Sequence, residues 1–249
     1  LRSADLGLLA GLGTTAVSVY PPLTVAILAT GDEVLPCHTA SLAPGQVRNV
    51  NSPLIAAMIA AIGHQTVDCG IAADSPRALT EALQAALDKA DLVLLSGGSS
   101  AGARDFACEV ITQLPQGAVD HHGLRLAPGK PTILGRAAGK PVLGLPGHPV
   151  SCAVVVDRVV LPLLRRLGGE TPWQRGPVKR VTLSERVNSK AGREEYLPVR
   201  LDSPYRATPV RGPSGAIATL VRADGMIRIP LADEGYPADS EVDFYLVGS

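Results

Sequence analysis

Leu92-Val93-Leu94-Leu95-Ser96-Gly97-Gly98-Ser99-Ser100-Ala101-Gly102 joins a bare apolar run to glycines and small hydroxyls, and a helix-like stretch follows from Arg104 to Gln113. A buried strand that ends in glycine and opens a helix makes a pocket of backbone N–H groups. The start of the helix adds partial positive charge, so such a pocket suits an anion. Glycine lets the backbone turn with positive φ and come close to a ligand. A tight strand-to-helix turn needs the same small residues. The stretch alone therefore leaves an anion pocket and a plain turn both open.

Outward from it, strand and helix alternate from Leu23 to about Gly169. Leu23–Ala29 is β-compatible and ends at Thr30-Gly31-Asp32-Glu33. Asn51 is expected to cap a helix with Pro53 in its first turn and Leu54, Met58, Ile59 and Ile62 at helical spacing, stopped by Gly63. Gln65–Ile71 is a second strand, and Asp74 or Ser75 caps a helix that sets Leu79, Leu83 and Leu87 on one face. Short β-runs at Thr132–Leu134 and Pro141–Leu145 precede a long apolar helix from about Val150 to Leu167, closed by Gly168-Gly169. Units of this kind imply an α/β fold of three αβα layers around a mostly parallel sheet. Ligands of such sheets sit beyond the carboxyl ends of the strands, where Thr30–Glu33 and Ser96–Gly102 can face one cleft.

After Trp173 the texture changes. Val178–Leu183, Glu195–Leu201, Met226–Ile229 and Val242–Val247 are short strand-like runs separated by Gly, Pro, Asp and Ser, with a helical patch near Ile217–Arg222. They predict a small all-β domain, a barrel or a sandwich. The expected organisation is a linker remnant over 1–20, an α/β domain over 21–170 and a barrel-like β-domain over 175–249.

Composition excludes several classes. With 46% hydrophobic and 18% charged residues, the 249-residue chain is an ordinary globular sequence rather than a disordered one. Lys+Arg and Asp+Glu number 23 each, which argues against nucleic acid or an anionic membrane as a partner. The apolar run Val154–Leu164 is broken by Asp157, Arg158 and Pro162 and is no membrane span. Cys37, Cys69, Cys108 and Cys152 lack CxxC spacing, so free thiols packed as small hydrophobes in a reducing cytoplasm are expected. The chain opens on Leu1 with no signal peptide after it, and is read as beginning partway through a longer protein.

Three further segments complete an ordered set with the glycine loop: Thr30-Gly31-Asp32-Glu33, Pro128-Gly129-Lys130-Pro131 and Gly144-Leu145-Pro146-Gly147-His148-Pro149-Val150-Ser151. In this order they resemble the molybdopterin molybdenumtransferase family, MoeA and the gephyrin E-domain. The stretch Gly215 to Pro230 is similar to that family's C-terminal β-domain, and Leu1 to Ala10 to the end of its N-terminal part. The resemblance implies insertion of molybdate into adenylylated molybdopterin, yielding molybdenum cofactor and AMP, with Mg²⁺ as the helper ion. It also implies a cytoplasmic homodimer whose upstream region supplies carboxylates to the partner's cleft, and a molybdopterin adenylyltransferase as a possible associate.

The chemistry of the residues fits those roles. Asp32 and Glu33 are adjacent carboxylates suited to a hard cation, and Asp105 is a third candidate for the metal or for a pterin N–H. Asp105 equally suits a helix N-terminus. Glu33, Asp105 and Lys130 are the expected catalytic groups, Lys130 being aimed at an anion between two prolines. Thr30, Gly31, Gly97, Gly98, Ser99, Ser100, Gly102, Pro128, Gly129, Pro146, Gly147, His148 and Ser151 are the expected substrate-binding residues. Ser151 is also placed to cap the helix after it, and His121 and His122 are expected in a surface loop.

Three positions depart from the family's pattern: His148 stands for the usual asparagine, Ala127 for a lysine and Ala103 for an acid, with Arg104 beside it. Two rival readings are a molybdopterin adenylyltransferase, which the β-rich tail disfavours, and a non-catalytic pterin-binding or scaffold module.

Overall fold

The computed structural model describes residues 1–97, 101–170 and 176–247, with the backbone alone over 101–105. Its first sheet has six strands: β1 (Thr24–Thr30), β2 (Gln65–Ala72), β3 (Leu92–Gly97), β4 (Ala118–His122), β5 (Ile133–Ala137) and β6 (Lys140–Leu145). They lie in the order β2-β1-β3-β6-β5-β4. The first four are parallel, while β5 runs against β6 and β4 against β5. The antiparallel edge corrects the expectation for His121 and His122, which end an exposed edge strand rather than lie in a loop.

Helices cover both faces. α1 (Ser3–Gly11) is an outlying N-terminal helix with no buried residue, followed by α2 (Asn51–Ala60), α3 (Pro76–Leu87) and α4 (Ala101–Gln113). A rod, α5, then runs through Pro149–Val155, a π turn at Val156–Val160, and Leu161–Leu167. Along β1, Val25 and Ile27 join a cluster with Ile55, Ile59, Val155 and Leu164, while Ala26 and Leu28 join Leu83, Val110 and Ile111. Burial on both faces explains why β1 and β3 read as unbroken apolar runs. Asn49, not Asn51, caps α2: its Oδ1 accepts the Ser52 N–H at 3.1 Å. Ser75 caps α3 by accepting the Ala78 N–H, with Pro76 at the first helical position.

The chain leaves β1 for β2 on one side and then crosses to β3 on the other, so the sheet's switch point lies between β1 and β3. A crevice is expected at their carboxyl ends.

The C-terminal domain is a closed barrel of β7 (Lys179–Leu183), β8 (Glu194–Ser203), β9 (Arg206–Pro209), β10 (Gly225–Ile229) and β11 (Glu241–Tyr245). The order β9-β7-β11-β10-β8 closes because β8 also pairs with β9. Val181, Leu183, Val199, Ile227, Ile229 and Phe244 fill its interior.

The two domains are joined at several points. Leu126–Ala127 adds a short parallel strand to Glu194–Glu195 of β8, and Tyr196 and Met226 pack into the core beneath α5. From the π turn, the Arg158 guanidinium lies 4.5 Å from the Tyr196 ring and 4.7 Å from the Tyr245 ring, and 2.9 Å from the buried Asp157 carboxylate. Removing Arg158 takes away the ion pair with buried Asp157 and both ring contacts. Arg158→Ala is therefore expected to lower stability by about 2–4 kcal/mol. Thermal denaturation checks this, and an unchanged midpoint would show that the stack does not hold the domains together.

Candidate active site

At the carboxyl ends of β1, β3 and β6 lies a cleft of about 580 Å³. Glu33, Arg48, Ser96, Gly97, Gly147 and His148 line it from the α/β domain, and Gly215 and Ile217 from the barrel domain. Two glycines make this possible. Gly97 pairs with Thr30 at φ 135°, and a Cβ there would stand 1.9 Å from the Thr30 carbonyl oxygen. Gly31, at φ 130°, vacates the space that the Glu33 carboxylate uses, for its Cβ would lie 2.8 Å from Glu33 Oε2. Glycine is thus required by close approach and by left-handed backbone alike.

His148 precedes α5, and its Nδ1 is 2.8 Å from the Ser214 hydroxyl of the barrel domain. The Val150 N–H donates to the Ser214 carbonyl at 3.1 Å. Both domains therefore build one wall of the cleft. Arg48 also lines it: its guanidinium donates to the carbonyls of Thr39 and Ala40 and fastens the segment that carries Leu42 to the rim.

Asn51, which is 6% exposed, links the walls from below. Its Nδ2 donates to Ser96 Oγ and to the Gly147 carbonyl, both at 2.9 Å. Its Oδ1 is buried without a partner, a cost of about 1–3 kcal/mol that an ordinary core position would not carry. Below it, burial pushes the Cys152 thiol up to about 12, so this cysteine is a protonated apolar filler. Cys37 departs from that expectation, since it is exposed. Among the described residues none of the four cysteines is in a disulfide.

The expected site residues divide into groups. Glu33, Gly97, Gly147 and His148 come together in the cleft. Thr30, Pro146 and Ser151 are buried behind its walls, Ser151 in the first turn of α5. Asp32 parts from Glu33: with Gly31 it lines a neighbouring pocket, and its Oδ1 accepts the Asp74 N–H at 3.0 Å. Burial, together with the charges of Asp32 and Glu33, pushes the Asp74 carboxyl above its usual range.

Lys130 is exposed and outside the lining, yet at the same end of the sheet, because β5 begins opposite Gly144 near the end of β6. Its loop is fixed by Thr132, whose hydroxyl donates to the Gly129 carbonyl at 2.7 Å, and Pro128 enters it from the strand at Ala127. Gly98, Ser99, Ser100 and the side chains of Arg104 and Asp105 lie outside the described residues, and Gly102 is already within α4. Among the described residues no group of three His, Cys, Asp or Glu could hold a metal, and no helix is long and apolar enough to cross a membrane.

Residues 26–166 match the family model described as "Probable molybdopterin binding domain", and residues 180–247 match "MoeA C-terminal region (domain IV)". The chain belongs to the MoeA family. A MoeA protein of molybdopterin biosynthesis from Pyrococcus horikoshii shares the fold with a TM-score of 0.84 and 34% identity, over 99% of this chain and 60% of that one. Molybdopterin molybdenumtransferases of Nostoc sp. and Haemophilus influenzae are 31% and 32% identical over 94% and 79% of the chain. The chain spans 55% and 48% of those two MoeA relatives.

Arg48 and Asn51 are among the cleft residues that sequence reasoning missed. Asn51 was visible only as a helix-capping type, and Arg48 carried no signal.

Proposed function

We propose that the chain forms the pterin-binding and C-terminal part of a molybdopterin molybdenumtransferase, which inserts molybdate into adenylylated molybdopterin and releases AMP. One observation carries this reading: the cleft is shared, with Gly215 and Ile217 of the barrel facing Glu33, Gly97 and Gly147 of the α/β domain. An adenylyltransferase made of the α/β domain alone would not need that second wall.

In this reading the backbone around Gly97 and Gly147 receives the anionic groups, and Arg48 adds the cation that Ala127 does not supply. Leu42, Val50 and Ile217 offer apolar surface to a flat ring. Lys130 stands at the same end of the sheet, within reach of solvent-borne molybdate.

Glu33 fits Mg²⁺, which is held by one or two carboxylates together with substrate phosphates; Asp32, turned toward Asp74, does not share the ion. When bound, the ion would neutralise phosphate charge. The active species is proposed to be a homodimer in the cytoplasm, receiving its substrate from a molybdopterin adenylyltransferase.

The test supplies the full-length protein with adenylylated molybdopterin, molybdate and Mg²⁺ and follows AMP. Release of AMP with formation of molybdenum cofactor is expected. Pyrophosphate release from ATP and molybdopterin would favour the adenylyltransferase instead, and no binding of either pterin would favour a scaffold.

A further inference from the structure

The two cleft walls with exposed backbone, the end of β3 and the turn before α5, are tied by one side chain. Asn51 lies beneath both, and its bonds span 45 and 96 residues of sequence. The Gly147 carbonyl can only accept, so the amide must present Nδ2 to it, and Oδ1 is left without a partner.

The peptide between Gly147 and His148 is planar and trans, so its C=O and N–H point in opposite directions. The carbonyl is held by Asn51, which is 6% exposed and at the cleft lining, so the His148 N–H points away from Asn51, and exposed His148 lines the same cleft. Among the described residues no protein acceptor meets that N–H. Pro149 follows and has no N–H of its own, so the backbone donors of the turn are the Gly147 and His148 N–H groups.

We propose that Asn51 is a positioning residue that, by gripping the Gly147 carbonyl, aims the His148 N–H at an anionic oxygen of the ligand. This rests on the reading above for the class of ligand, but not for the orientation of the peptide.

Two measurements on the folded protein test it. The first needs no ligand. In Asn51→Ala the released peptide should exchange between orientations, giving microsecond–millisecond relaxation dispersion at the Gly147 and His148 amides that wild type lacks. Flat profiles in the variant overturn the proposal.

The second titrates AMP. Wild type should bind it with a large shift of the His148 amide, and Asn51→Ala should bind it about tenfold more weakly, the effect of one lost charge-assisted hydrogen bond. Equal affinities, or a His148 amide that stays still while AMP binds, overturn the proposal. If wild type binds no AMP, the reading of the ligand fails and the dispersion result still decides the clamp. Should Asn51→Ala not fold, Asn51→Leu has a similar volume but no polar hydrogen for either acceptor, and gives the same two readings.

Discussion

Gly97→Ala is expected to lower the thermal midpoint by roughly 10 °C and to weaken AMP binding in parallel. The added methyl would stand 1.9 Å from the Thr30 carbonyl oxygen, and that oxygen belongs to backbone, which cannot rotate away like a side chain. Two costs combine. Holding alanine at φ 135° costs about 1–3 kcal/mol, and forcing two paired strand ends apart adds about 1–3 kcal/mol. Of the strands that separate, β3 carries Ser96 and β1 leads into the turn of Glu33, so affinity falls with stability. Gly176→Ala is the control, because nothing lies within 4 Å of its added Cβ; it should leave the midpoint nearly unchanged. If the two variants melt together, the close approach of β1 and β3 is wrong.

The legibility of this chain follows from where its constraints are local. Leu92–Leu95 is buried on both faces of the sheet, so its apolar run is continuous and the parallel core shows in the sequence. Ala118–His122 is an edge strand whose Asp120, His121 and His122 are exposed, and such a strand needs no apolar pattern to announce it. The barrel's closing strand, Arg206–Pro209, has only Ala207 and Pro209 buried and ends on a residue that rarely sits inside sheets.

The same distinction governs the site. Glycines and prolines mark the turns, because strand ends that approach this closely require them. Asn51 acts through partners far away in sequence, so its neighbours in the chain say nothing of its role. Adjacent carboxylates part for a geometric reason: Asp32 and Glu33 are neighbours in a turn, and they line two neighbouring pockets. Lys130 reaches the right end of the sheet only because β5 is antiparallel, a fact of pairing rather than of composition.

Glu33→Gln is expected to reduce molybdate-dependent turnover by about 10²–10³-fold, the scale of losing one preorganised electrostatic contact in a catalytic site. Glutamine keeps the shape and the packing over Gly31 but removes the charge. Glu33 is the one carboxylate among the described residues lining the cleft, so no described neighbour there can replace it. A change on this partly exposed side chain should alter stability by about 0.5 kcal/mol or less, which separates a chemical effect from a folding one. If Glu33 holds Mg²⁺ beside a phosphate, the variant should also need a higher Mg²⁺ concentration for half-maximal rate, while AMP affinity without Mg²⁺ stays the same or improves as the negative charge is lost. Turnover equal to wild type at every Mg²⁺ concentration would remove Glu33 from the chemistry. Lost turnover with an unshifted Mg²⁺ requirement would keep it there but as a proton-bearing or orienting group.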